Sequence, residues 1–249
     1  MIHQSSSSSR GLWIQTTATV ALLGVALALV FFYAPLEAEQ GFLQKIFYVH
    51  VPLAIVSLCA FVVGGLFAVQ QLRTRSASWD MRSCVTIDLG LAFAVAALVC
   101  GSIWAKGSWG HWWVWNEPTL VSFLIIILLY AVYRPLRRSI DDPERQARFA
   151  SVFAVIGAIF VPANFIAVRA SSAYLHPRVL GASSQLPGEM ALTFLVSLAA
   201  IALLFCTFYR FEIGARRARV ALRALRRNAN RREQAAAAAM ARTATEPGA

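Results

Sequence analysis

The sequence predicts an all-α polytopic membrane protein with six transmembrane helices, both termini in the cytoplasm, and a tryptophan-rich loop between helices 3 and 4 on the external face. Three observations predict it. The 249 residues are 58% hydrophobic and only 14% charged, where a soluble domain carries about a quarter charged residues. Six segments approach or exceed the roughly 20 mainly apolar residues that a helix needs to cross a hydrocarbon core. The basic residues cluster in alternate connections between those segments. Helices are required because a backbone in lipid must satisfy its own hydrogen bonds.

The elements follow in order. A polar leader, 1–16, with a serine run (Ser5 to Ser9) and Arg10, reads as a cytoplasmic tail. The apolar run 17–33 is too long for the core of a signal peptide and lacks a clear cleavage site, so it reads as an uncleaved first span. Further spans are expected at 46–70, 86–104, 115–133, 150–169 and 189–209. The fourth is short if counted from Thr119, so the end of the tryptophan stretch is expected to complete it. The membrane domain is thus 17–209, with the tryptophan-rich loop at 104–118, and 210–249 form a basic cytoplasmic tail. There Arg216, Arg217, Arg219, Arg223, Arg226, Arg227, Arg231 and Arg232 interleave with Val220, Leu222 and Leu225. That pattern suits a helix near anionic lipid or a docked partner.

Orientation follows from lysine and arginine. The leader carries Arg10, the second connection Arg73, Arg75 and Arg82, and the fourth Arg134, Arg137, Arg138, Arg145 and Arg148. The tail carries ten arginines, and of the 23 basic residues only Lys45, Lys106, Arg169 and Arg178 lie elsewhere. Both termini are therefore expected inside, and connections one, three and five outside. A net charge of +11 could suit a nucleic-acid binder, but its distribution is a topology signal. Cys59, Cys84, Cys100 and Cys206 form no C-x-x-C pair and no C-x-x-C-H. This excludes a c-type cytochrome or a dithiol oxidoreductase by motif, and the thiols read as small core residues.

Five of the seven tryptophans fall between Trp104 and Trp115, just before Asn116 and Glu117. An interfacial belt accounts for isolated tryptophans such as Trp13 and Trp104. It accounts less well for Trp109-Gly110-His111-Trp112-Trp113-Val114-Trp115. Apart from His3, the histidines are His50, at the start of the second span, His111, and His176 in connection five, all expected on the external side. His111 reads best as an exposed loop residue. Two neutral imidazoles are a natural axial pair for haem iron, and a shelf of indoles matches a porphyrin. Lys106, Arg169 and Arg178 are cations able to meet two propionates. Zinc is served less well, because no carboxylate or thiolate stands at ligand spacing with the histidines.

The run Trp109 to Asn116 resembles the tryptophan-rich WWD signature of the haem-handling proteins of cytochrome c biogenesis. Phe47-Tyr48-Val49-His50-Val51-Pro52, and Val161-Pro162-Ala163-Asn164 through Leu175-His176, resemble the CcmC branch of that superfamily, and the resemblance runs from about residue 15 to 212. It implies a protein that binds haem b on the periplasmic side of the inner membrane. His50 and His176 would be axial ligands, and Trp109, Trp112, Trp113 and Trp115 the platform, with Gly110, Asn116 and Arg178 beside them. It also implies delivery of haem to a periplasmic CcmE-like chaperone for c-type cytochrome maturation. CcmA-like and CcmB-like subunits of an ABC transporter complex and a small CcmD-like subunit are the implied partners. The chain departs from the signature in four places. Asn116 stands for its acid with Glu117 adjacent, Pro118 replaces a basic residue, and Ser171 and Ser172 replace aromatics before His176.

The chemistry so implied is binding and handover rather than catalysis, apart from a lyase-like role in attaching haem to the chaperone. A CcsA/ResC-like haem channel or synthetase module would need more spans or a large partner domain, and more histidines. A b-type electron-transfer cytochrome would carry histidine pairs near both faces, and no histidine lies near the cytoplasmic end of a span. A generic transporter would need polar residues deep in the spans, for which Asp88 and Asn164 are the candidates.

Overall fold

A computed structural model describes residues 3–170, 176 and 186–245. Its helices are α1 (His3–Ala28, prolonged by a π-helical turn, Leu29–Tyr33), α2 (Phe47–Thr74, entered through a 3-10 turn, Phe42–Ile46), α3 (Ala77–Trp109), α4 (Pro118–Ala131), α5 (Tyr133–Arg138), α6 (Pro143–Ala170) and α7 (Gly188–Thr245). No strand occurs among the described residues beyond an isolated bridge between Glu37 and Gly41. Six helical stretches are long and apolar enough to cross a membrane: Arg10–Tyr33, Phe42–Thr74, Ala77–Trp109, Pro118–Arg138, Pro143–Ala170 and Gly188–Gln234. The chain divides into two compact units, Met1–Tyr209 and Arg210–Ala249.

The expected spans are present, but their ends differ for physical reasons. Residues of the expected leader are already helical from His3. The third span begins nine residues before position 86, at Ala77, where the Ser76 side chain accepts from Ser78 N and caps the helix. It runs on through Trp104 to Trp109 and stops at Gly110, whose φ of 77° is the left-handed C-cap that glycine adopts freely. Two of the five clustered tryptophans are therefore helical. The fourth span is not completed by the tryptophan stretch. Glu117 caps α4 by accepting from Thr119 N at 3.2 Å and Pro118 occupies its first turn. The missing length is supplied at the other end, where α5 carries the span to Arg138.

Within the first unit α2 is central. Small residues let the backbones approach closely, as expected where apolar burial from water drives little. A Cβ on Gly65 would stand 2.2 Å from that of Ala158 on α6, and one on Gly64 2.8 Å from Ile87 Cγ1 on α3. The Phe61 and Tyr130 rings stack at 3.8 Å, joining α2 to α4. Gly157 on α6 makes room for the Tyr130 hydroxyl. On the opposite side Leu53, Val56, Phe93, Ala97 and Ile201 form a core between α2, α3 and α7. Thr19 and Thr207 hydroxyls share a buried hydrogen bond of 2.8 Å between α1 and α7.

The basic connections form an ion-paired end of the bundle. Arg137 grips Asp80 with two bonds, 2.7 and 2.8 Å long, the fork geometry that makes arginine–carboxylate pairs strong. Arg134 is paired in the same way with Asp88. Asp88, a candidate for a polar pathway inside the spans, instead ties α3 to α5.

In the second unit the chain from Arg210 to Thr245 is helical. An i,i+4 pair joins Arg216 Nε to Glu212 Oε1 at 2.7 Å.

Candidate functional site

At the end of the bundle opposite the Asp80–Arg137 pair, α2, α3, α4 and α6 enclose a cleft. Its walls include His50, Ala54 and Leu58 of α2, Gly101 and Trp104 of α3, Leu120 and Phe123 of α4, and Val161, Asn164, Phe165 and Arg169 of α6. From His50 to Leu58 the α2 wall spans about 12 Å of helix. The depths of the cleft are apolar. Its polar groups gather near the helix ends, with Ser102, Thr119, Ser122, Asn164 and Arg169 joining the two histidines.

His50 lies in the first turn of α2 and points across to α3. Its Nδ1 is 2.9 Å from the carbonyl oxygen of Ala97. A carbonyl only accepts, so Nδ1 carries the proton and the lone pair resides on Nε2. The contact depends on Gly101, one helical turn along from Ala97. A Cβ there would stand 2.6 Å from His50 Cε1 and 3.1 Å from Nδ1. The missing side chain is what lets the imidazole reach the α3 backbone. A second partner that fixes tautomer and orientation is the usual support of a metal-binding histidine.

His176 faces the same cleft. Its ring centre is 6.4 Å from that of His50, with the planes inclined at 47°. Two imidazoles bound on opposite sides of one metal ion, with bonds of about 2 Å and about 1.2 Å from nitrogen to ring centre, would place the centres about 6.4 Å apart. The observed spacing of the ring centres is close to that value. Trp104 and Trp109 flank His176 at 6.2 and 6.4 Å, and pack edge to face with each other at 5.0 Å.

The other expected site residues are divided. Trp109, Trp112 and Trp113 line the cleft together with the histidines. Trp113 Nε1 is buried without a hydrogen-bond partner among the described residues. Trp115 is 74% exposed, beside Trp113 at 5.9 Å and outside the cleft lining. Gly110 shapes the end of α3 and does not line the cleft. Asn116 is exposed, whereas Glu117 is 1% exposed and bound up in the α4 cap. Of the three cations, Arg169 lines the cleft and its guanidinium sits 4.9 Å over the Phe165 ring. Lys106 turns away to donate to the Gly110 carbonyl at 2.8 Å. Arg178 lies outside the described residues. His111 is exposed and absent from the lining.

Sequence reasoning missed Ala97, Gly101 and the part played by Trp104. A glycine inside an apolar span was the available signal for Gly101, since in membrane helices small residues mark close approach. A backbone carbonyl such as that of Ala97 leaves no signal at all.

Comparison with known proteins identifies the family. Residues 3–233 match the family model CcmC, described as Heme exporter protein C. The chain is 35% identical over 217 residues to the Heme exporter protein C of Bradyrhizobium diazoefficiens, covering 83% of this chain and 80% of that one. It is 32% identical over 148 residues to that of Rhodobacter capsulatus (59% of this chain, 60% of the relative). It is also 32% identical over 145 residues to that of Escherichia coli (58% and 59%). The matched part spans about three fifths of the length of the last two relatives.

Proposed function

Since the chain belongs to the Heme exporter protein C family, we propose that it holds haem b as cargo between His50 and His176 and hands it on at the external face of the inner membrane. The observation that carries this reading is the 6.4 Å separation of the two rings across a cleft with aromatic walls. Haem supplies the iron. The chain supplies two imidazoles, one braced by Ala97, and an apolar cleft that suits the porphyrin. Trp113 Nε1 and Arg169 offer a hydrogen-bond donor and a cation to the propionates.

The protein works by differential holding rather than by bond chemistry, with the exposed Trp112 and Trp115 as the face presented to a CcmE-like haem chaperone. CcmA-like and CcmB-like subunits, with a small CcmD-like one, complete an ABC-type complex. Both termini lie in the cytoplasm under this reading. The basic connections and the 210–249 tail then share that side, while residues 110–117 and His176 lie outside. The test is haemin titration of the detergent-purified protein. A low-spin bis-histidine spectrum is expected, weakened in His50→Ala and in His176→Ala. Full haem content in both variants would refute the ligand assignment.

A further inference from the structure

We infer that the connection between α1 and α2, residues 34–46, is a positioning element for the haem site and acts through Gln40. The inference rests on the haem reading above and names a residue that does not itself line the cleft.

Six contacts support it. Trp104 Nε1 donates to Gln40 Oε1 at 3.0 Å. An indole has a single donor, so this bond fixes the rotation of the ring. Leu43 fills the space left by Gly107, one turn further along α3, where a Cβ would stand 2.6 Å from Leu43 Cδ2. The tip of the connection is folded by the Glu37 carboxylate, which accepts from Gln40 N at 2.7 Å and Glu39 N at 3.1 Å. Its base is anchored by Lys45, only 6% exposed, whose Nζ donates to the Ala34 carbonyl at 2.5 Å and the Pro35 carbonyl at 3.4 Å. Those carbonyls close the end of the first span, where the chain becomes extended before a proline, and a cation there is favourably placed.

Gln40 is therefore held by its own connection and in turn holds Trp104. Trp104 packs on Trp109 and stands against His176. The chain of contacts runs Glu37, Gln40, Trp104, His176, from the connection after the first span to one wall of the haem site. Gln40 acts on haem only through the indole it orients, which makes it a positioning residue.

The test is a double-mutant cycle on full-length protein in nanodiscs, read by haemin affinity and by the g values of the low-spin ferric signal. Gln40→Leu is expected to weaken haemin binding about fivefold, the worth of one hydrogen bond, and to shift the g values. Gln40→Glu, which keeps an acceptor oxygen, is expected to preserve both. Trp104→Phe removes the N–H, and adding Gln40→Leu to it is expected to cause no further loss. Wild-type affinity and g values in Gln40→Leu, or losses that multiply in the double variant, would overturn the inference and leave the haem reading intact. A wild-type protein with no bis-histidine spectrum overturns both.

Discussion

The Ala97 carbonyl lies 2.9 Å from His50 Nδ1 and so determines which ring nitrogen of His50 is available to the cleft. Under the haem reading the iron ligand is Nε2. His50→Gly leaves a cavity the size of an imidazole with the same carbonyl at its base. Free imidazole is expected to restore the low-spin spectrum to that variant, because it can donate to Ala97 and coordinate through its other nitrogen. Absorbance at increasing imidazole measures this, and a spectrum that stays high-spin would count against the assigned brace.

Gly101 and Gly110 are expected to fail in different ways. Gly101→Ala puts a methyl group 2.6 Å from the His50 ring, so haemin affinity falls at least tenfold while thermal stability changes little. Gly110 has open space around its missing Cβ but a φ of 77°. Gly110→Ala therefore costs about 1–2 kcal/mol of backbone strain, seen as lowered thermal stability, with Gly110→Asn milder. Equal loss of haem affinity in the two alanine variants would contradict this division.

Asp80 and Arg137, 17% and 12% exposed, are largely removed from solvent. Removing one partner leaves the other uncompensated, so Asp80→Ala is expected to cost about 3 kcal/mol. The double variant Asp80→Ala, Arg137→Leu is expected to recover much of that loss. Equilibrium unfolding in mixed micelles checks it. A double variant as unstable as the sum of the singles would show that the two residues are not coupled.

Sidedness can be tested in a background free of the four native cysteines. A cysteine at the exposed position 115 is expected to react with a membrane-impermeant maleimide added to spheroplasts, and one at exposed position 139 only after lysis. The reverse pattern would invert the orientation read from the basic residues.

The bundle was legible because apolar runs of span length can be read without tertiary information. The ends of the spans were not, because a helix continues past the hydrocarbon core until a capping residue stops it. Ser76, Gly110 and the Glu117–Pro118 pair are such residues, and each carries a known local preference. His50 and His176 could be singled out because both were expected on the same side of the membrane as the tryptophan stretch, in segments that resemble the family. That they would stand 6.4 Å apart could not, since it depends on how α2 and the connection after α6 are brought together. Asn116 drew attention as the departure from the family signature, while the buried acid is its neighbour Glu117. Nothing in the pattern of residues 34–46 pointed to Gln40, because its role comes from one bond to a residue 64 positions away.

The close approach of α2 and α6 at Gly65 and Ala158 has a mechanical side. The two helices meet there with only the Ala158 methyl between them, and the cleft opens between the same helices further along, from Leu58 and Val161 to His50 and Arg169. A larger side chain at position 65 is therefore expected to push α2 and α6 apart and widen the cleft without touching anything inside it.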